Sequence, residues 1–210
     1  MTASSGSGAA AVQPKAKYHH GDLREALIAA AYQLVNETGA ENFSLADACR
    51  LAGVSTAAPY RHFKDREEIL AEVTARGFDA MSANAVRAVE KKGEGTLEGI
   101  IAMGQAYVAF AVEQEGVFRL MFGQNPSLAE VQQVIETGAN CFGYLIEQIT
   151  TYCEAKGLER DANEIAARMW TFVHGASSLL IDGKYDRITP GLNVNEMIVR
   201  ATPLLLGRAA

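Results

Sequence analysis

The stretch SLADACRLAGVSTAAPYRHF, residues 44–63, decides the reading of this chain. In its first half Leu45, Ala48, Cys49 and Ala52 recur at i, i+3, i+4 and i+7, one buried face of a short helix, with Asp47 and Arg50 turned outward. Gly53 follows as a residue free to adopt a left-handed C-terminal cap, Val54 can plug the corner, and Ser55 suits the N-cap of a second helix over residues 56–62. Helix, tight turn, helix is the expectation, and the second helix of such a unit can enter a DNA major groove.

That second element has the chemistry for it. Thr56, Tyr60, Arg61 and His62 bring groups that bond phosphate oxygens, while Ala57 and Ala58 keep the first turn slim enough to approach base edges. A plain solvated helix is the competing reading, and the ordered combination of features weighs against it. Pro59 falls at about the fourth helical position, where it has no N–H to return to Ser55, so a loosened or bent start is expected.

Working outward, Asp22 and Glu25 fit a capping box ahead of Leu23, Ala26, Leu27, Ala30, Ala31, Leu34 and Val35, which repeat with helical period up to Thr38-Gly39. Phe43 anchors the small core. Asp65 and Glu68 fit a second box, opening a long helix through Ile69, Leu70 and Val73 toward Val89. Lys91-Lys92-Gly93-Glu94-Gly95 breaks it. Beyond the break, helices are expected over 97–115, 117–122, 128–155, 162–181 and 193–207, with Val131, Val134, Ile135, Phe142, Leu145, Ile146 and Ile149 on the buried side of the long one. Pro203 should kink or end the last. No strand pattern competes.

Residues 20–72 resemble the N-terminal DNA-binding domain of the TetR family of transcriptional regulators, through AGVS, then YRHF and a charged helix start. A weaker resemblance, around Trp170 and His174-Gly175, is to the C-terminal domain of one branch of that family. The resemblance implies an all-α fold: an N-terminal three-helix helix-turn-helix domain (18–65) after an arm (1–17), a connecting helix (66–92), and a larger effector-binding and dimerisation domain (93–210). It implies a homodimer on a palindromic operator, released as a repressor by a small lipophilic or aromatic ligand. By the same resemblance Ser44 sits at a phosphate-clamping helix start, Thr56 and Ala57 are placed to meet bases with the N-cap Ser55 counted in the DNA-binding set, Tyr60, His62 and Lys64 contact backbone phosphate, and Arg61 can do either. Ala48 departs from the larger aliphatic residue more usual there, which puts the packing beneath the motif in question. The arm, with Lys15, Lys17, His19 and His20, is either a solvated lead-in or a contact to phosphate or minor groove.

Candidate ligand-binding residues are Met103, Tyr107, Phe110, Phe118, Met121, Phe122, Phe142, Trp170 and His174, an apolar and aromatic set that would equally serve as plain core. By the resemblance the last two expected helices supply dimerisation, and Leu179, Leu180, Ile181, Met197, Ile198, Leu204, Leu205 and Leu206 would give them the apolar surface for it.

The 210 residues carry a formal net charge of −6. Residues 1–92 hold 11 basic and 11 acidic side chains and residues 93–210 hold 8 and 14, so the acid belongs to the second half and directs the neutral first half toward phosphate. Cys49, Cys141 and Cys153, odd in number and set in apolar patterns, read as buried thiols of a reducing cytoplasm. No apolar run reaches a membrane span, and Met1 to Gln13 lacks the pattern of a signal peptide. No cofactor or metal is expected: Gly93-x-Gly95-x-x-x-Gly99 follows no strand, and His19-His20 has no third ligand nearby. Nor is an enzyme, since Ser177-Ser178 lacks a nucleophile elbow and Glu67-Glu68 is explained by its helix start. Two alternatives stand beside the ligand-released repressor: a helix-turn-helix regulator governed by a protein partner and, further off, a small helical enzyme.

Overall fold

The computed structural model describes residues 20–207; the N-terminal arm and the side chains of His20 and Asp22 lie outside the described residues. Leu27, Ile28, Ala31 and Val35 are fully buried on one stripe of α1 (His20–Thr38), which begins ahead of Asp22, so that residue lies inside the helix rather than capping it. Gly39, at φ 83°, turns the chain into an unforeseen 3-10 turn over Ala40–Asn42, and Phe43 plugs the core beneath it.

Ser44 caps α2 (Leu45–Ala52) by accepting the Asp47 N–H at 3.1 Å and donating its hydroxyl to Asp47 Oδ2 at 2.6 Å. That bond, with Arg50 adding to it, holds the Asp47 carboxyl below its ordinary range. At the other end Gly53 adopts φ 69°, its N–H bonds Arg50 O at 3.2 Å, and Val54 N–H bonds Cys49 O at 2.9 Å. This is the paired closure of a Schellman motif, and the turn is as the sequence required.

The second helix of the motif is not. Residues 56–62 are not α-helical: Thr56 and Ala57 form a turn and Ala58 a bend, followed by a single 3-10 turn over Pro59–Arg61. Pro59 has no N–H to give Ser55 O, so Ala58 N–H takes that carbonyl at 3.0 Å, and the pattern of i→i−3 bonds continues with His62 N–H to Pro59 O at 2.8 Å. Asp65 then caps α3 (Arg66–Lys92), accepting Glu68 N–H at 2.9 Å while Glu68 Oε2 accepts Lys64 N–H at 2.6 Å.

The long α3 runs through both halves. Ile69, Leu70 and Val73 pack with α1 and α2, whereas Ala85 and Val89 near its far end pack with Met103 of α4 (Leu97–Glu113). Gln114 separates α4 from α5 (Glu115–Phe122), so the expected pair of helices is cut at a different point. The single helix expected over 128–155 is two: α6 (Pro126–Ala129) and α7 (Gln132–Ala155), parted where Val131 is extended at ψ 116°. Leu128, 4% exposed, pins α6 to the core, and α7 leaves it in a new direction with Ile135 exposed rather than buried. The chain continues through α8 (Ala162–Ile181), an unforeseen short α9 (Lys184–Ile188), and α10 (Val194–Leu205), which carries Pro203 without ending there. Ile198 and Leu206 are sealed in the core of the single chain and are not available to a dimer surface; Leu179 and Leu204 are exposed. No strand occurs among the described residues.

Candidate nucleic-acid interface and ligand cavity

Two regions carry chemistry. The first is the loop from Gly53 to Lys64, where Ser55, Thr56, Ala57, Tyr60, Arg61 and Lys64 are all exposed and Ser44 and His62 are half-buried. Tyr60 is 69% exposed, too far out for a side chain kept for packing. Pro59 and Phe63 are buried between them and fix the loop on the core. Three further cations of this half are bound inward. Arg24 pairs with Glu72 and lies over the Phe63 ring at 5.3 Å; Arg76 pairs with Glu25; Arg66 bonds the carbonyls of Phe43 and Ala40 and lies over the Phe43 ring. They brace α1 against α3 and hold the loop in place, leaving Arg61 and Lys64 as exposed positive charges beside Tyr60. Ser44 spends its hydroxyl on its own cap, on the Asp47 N–H and carboxylate at the start of α2.

The second region is a partly open pocket of about 410 Å³ lined by residues of α3, α4, α5, α7 and α8. Of the candidate ligand-binding residues, Met103, Tyr107, Phe122, Phe142 and Trp170 line it. Phe110, Phe118, Met121 and His174 do not. Phe110 and Phe118 are 1% and 2% exposed and belong to the packed core, and Met121 is pressed against Gly77 of α3. His174 stands behind the wall, 2.9 Å from the Tyr107 hydroxyl through Nδ1 and stacked on Phe118. Trp170 Nε1 donates to the same hydroxyl at 3.3 Å. Burial pushes the Tyr107 phenol well up and the His174 imidazole down, so both are neutral.

Sequence reasoning missed ten of the lining positions: Phe78, Met81 and Ala85 on α3, Ile100 and Gly104 on α4, Gly138, Cys141 and Leu145 on α7, Met169 and Val173 on α8. No short pattern marks them, although the apolar far half of α3 was a usable sign that the connecting helix forms a wall. Cys49 and Cys153 are buried; Cys141 is only half-buried and faces the cavity, with burial raising its thiol. All three are free. Among the described residues there is no cluster of His, Cys, Asp and Glu able to hold a metal, and no helix is long and apolar enough to cross a membrane.

A polar turn stands on a base of α1, α2 and α3, and a partly open apolar pocket lies in the larger helical body. The family model described as bacterial regulatory proteins, tetR family, matches residues 27–73, and that described as tetracyclin repressor-like, C-terminal domain, matches residues 100–201. The chain belongs to the TetR family of transcriptional regulators, DNA-binding proteins that typically act as dimers. It is similar to a protein of unknown function from Rhodococcus sp. RHA1, at 31% identity and TM-score 0.79, covering 91% of this chain and 97% of that one. It also shares its fold with FadR from Bacillus subtilis, solved in complex with stearoyl-CoA (13% identity, TM-score 0.67, covering 87% and 97%). PfmR, a TetR family regulator from Thermus thermophilus, has the same fold at 19% identity and TM-score 0.61, covering 88% and 98%. No curated protein sequence matches the chain.

Proposed function

We propose that this protein is a ligand-released repressor: a homodimer that holds a palindromic operator through the 53–64 loop and lets go when a small apolar molecule fills the cavity. One observation carries the reading. The eight-residue helix α5 touches both regions, with Phe122 lining the cavity and Gly116 lodged against the end of α1. A methyl group on Gly116 would stand 2.1 Å from Val35 O and 2.8 Å from Asn36 O, so the two helices meet backbone to backbone. Asn36 Nδ2 donates across the same junction to Glu113 O at 3.2 Å. Val117, Phe118, Leu120 and Met121 of α5 share one continuous core with Leu27, Ile28 and Val35 of α1. A ligand that displaces Phe122 therefore moves the base on which the DNA-facing loop is mounted, and two-fold readers lose their match when paired elements shift by a few ångströms. The stearoyl-CoA held by FadR supports a regulatory ligand in this fold.

On the DNA side, Thr56 and Ala57 would face bases, Tyr60, His62, Lys64 and the α2 N-terminus would hold phosphate, and Arg61 would serve either. Selection of bound duplexes from a random pool tests this. A two-fold symmetric consensus is expected, and with it Lys64→Ala should lower affinity on every sequence and reduce the salt slope by about 1. An asymmetric consensus, or an unchanged slope, contradicts the reading.

A further inference from the structure

Resting on that cavity reading, the lining says what kind of molecule fits. None of the described lining residues carries a carboxylate, a lysine, an arginine or a histidine, and the polar atoms they contribute are the Tyr107 hydroxyl, the Trp170 N–H and the Cys141 thiol. An anion buried there would find no counter-charge and only weak donors, and a buried unpaired charge is among the costliest arrangements a protein can hold. Trp170 can only donate, and it already donates to Tyr107. With the proton of the neutral His174 assigned to Nε2, Nδ1 accepts the Tyr107 hydroxyl proton across 2.9 Å, and the chain runs from Trp170 through Tyr107 to His174. The phenol oxygen then has its proton committed, one lone pair filled by the indole, and one lone pair left.

We infer that the cavity selects an uncharged lipophilic molecule whose polar group is a single hydrogen-bond donor, an alcohol or phenol, received by the oxygen of Tyr107, and that it rejects carboxylates of the same length. The acyl-CoA of the FadR complex, with its charged head, is by this chemistry a poor guide to the ligand here. With about 410 Å³ available, a chain of roughly ten carbons fits with room to spare.

The test is a calorimetric and thermal-shift titration of the full-length protein with decan-1-ol, decyl methyl ether and sodium decanoate at pH 8. Decan-1-ol should bind, the ether should be weaker by about 5-fold for want of a donor, and decanoate weaker by at least about 30-fold. Tyr107→Phe should bring alcohol and ether together. Trp170→Phe, which keeps the hydroxyl and frees a second lone pair, should leave the gap between them intact, and it decides the matter should Tyr107→Phe fail to fold. Decanoate binding within threefold of decan-1-ol, or loss of the alcohol–ether gap in Trp170→Phe, overturns the inference while leaving a ligand cavity in place. Failure of all three probes to bind removes the cavity reading together with the inference.

Discussion

The DNA-facing loop and the cavity are built by opposite means. The loop is twelve consecutive residues, rich in exposed polar groups, with Pro59 and Phe63 buried and Val54 packed against the core. The cavity draws fifteen residues from five helices between Phe78 and Val173, nearly all apolar. A surface site must present each functional group from its own backbone position, so its chemistry is written contiguously. A cavity exists where large side chains fail to meet, and that is decided by how helices cross. Substitutions in the loop should therefore change binding without changing stability, and those around the cavity should do the reverse.

The largest expected effect tests the second half of that contrast. Phe118 is 2% exposed and contacts the rings of Tyr107, Phe122 and His174, so Phe118→Ala should cost about 3–5 kcal/mol in urea unfolding. A loss below about 1 kcal/mol would mean that the aromatic cluster is loosely packed. Gly116→Ala comes next, at about 1–3 kcal/mol, because Val35 O is backbone and cannot rotate away as a side chain would. It is the substitution that should blur the contrast, weakening DNA binding in the folded protein from a position remote from the loop. Tyr60→Ala should leave unfolding within about 0.5 kcal/mol of the parent while lowering affinity for DNA, since the ring is 69% exposed. A clear loss of stability there would recast the tyrosine as a packing residue.

The smallest effect is a pH dependence. His174 has its folded value lowered from 6.5 by burial, so the unfolded chain takes up this proton first as the solution is acidified. The stability it permits is fully present above pH 6.5 and is lost as pH falls through and below that value. Measured as the difference between the parent and His174→Gln from pH 7.5 to 5, the parent should lose ground on acidification; a parallel pair of curves would place the imidazole in water.

How much was legible follows the same division. The cap at Asp65, the αL glycine at 53 and the long α3 were readable, since each is a local rule of backbone satisfaction. Pro59 signalled disturbance, but only the structure shows that it converts the expected recognition helix into turns and one 3-10 segment. The break at Val131 carries no local mark, because it arises from Leu128 being anchored on the core. Phe110, Phe118 and Met121 were drawn into the candidate pocket by residue type alone; composition cannot tell a ring that walls a cavity from one that fills the space behind it.

Coupling between the two regions is the central claim, and linkage gives it a direct measurement. With the selected operator duplex in hand, its affinity is measured with the cavity empty and with it saturated by an uncharged ligand, decan-1-ol in the first instance. The account predicts a roughly 5–150-fold weakening of operator binding, about 1–3 kcal/mol, with the ligand's own affinity falling by the same factor when operator is bound. Operator affinity unchanged under a saturated cavity would contradict it.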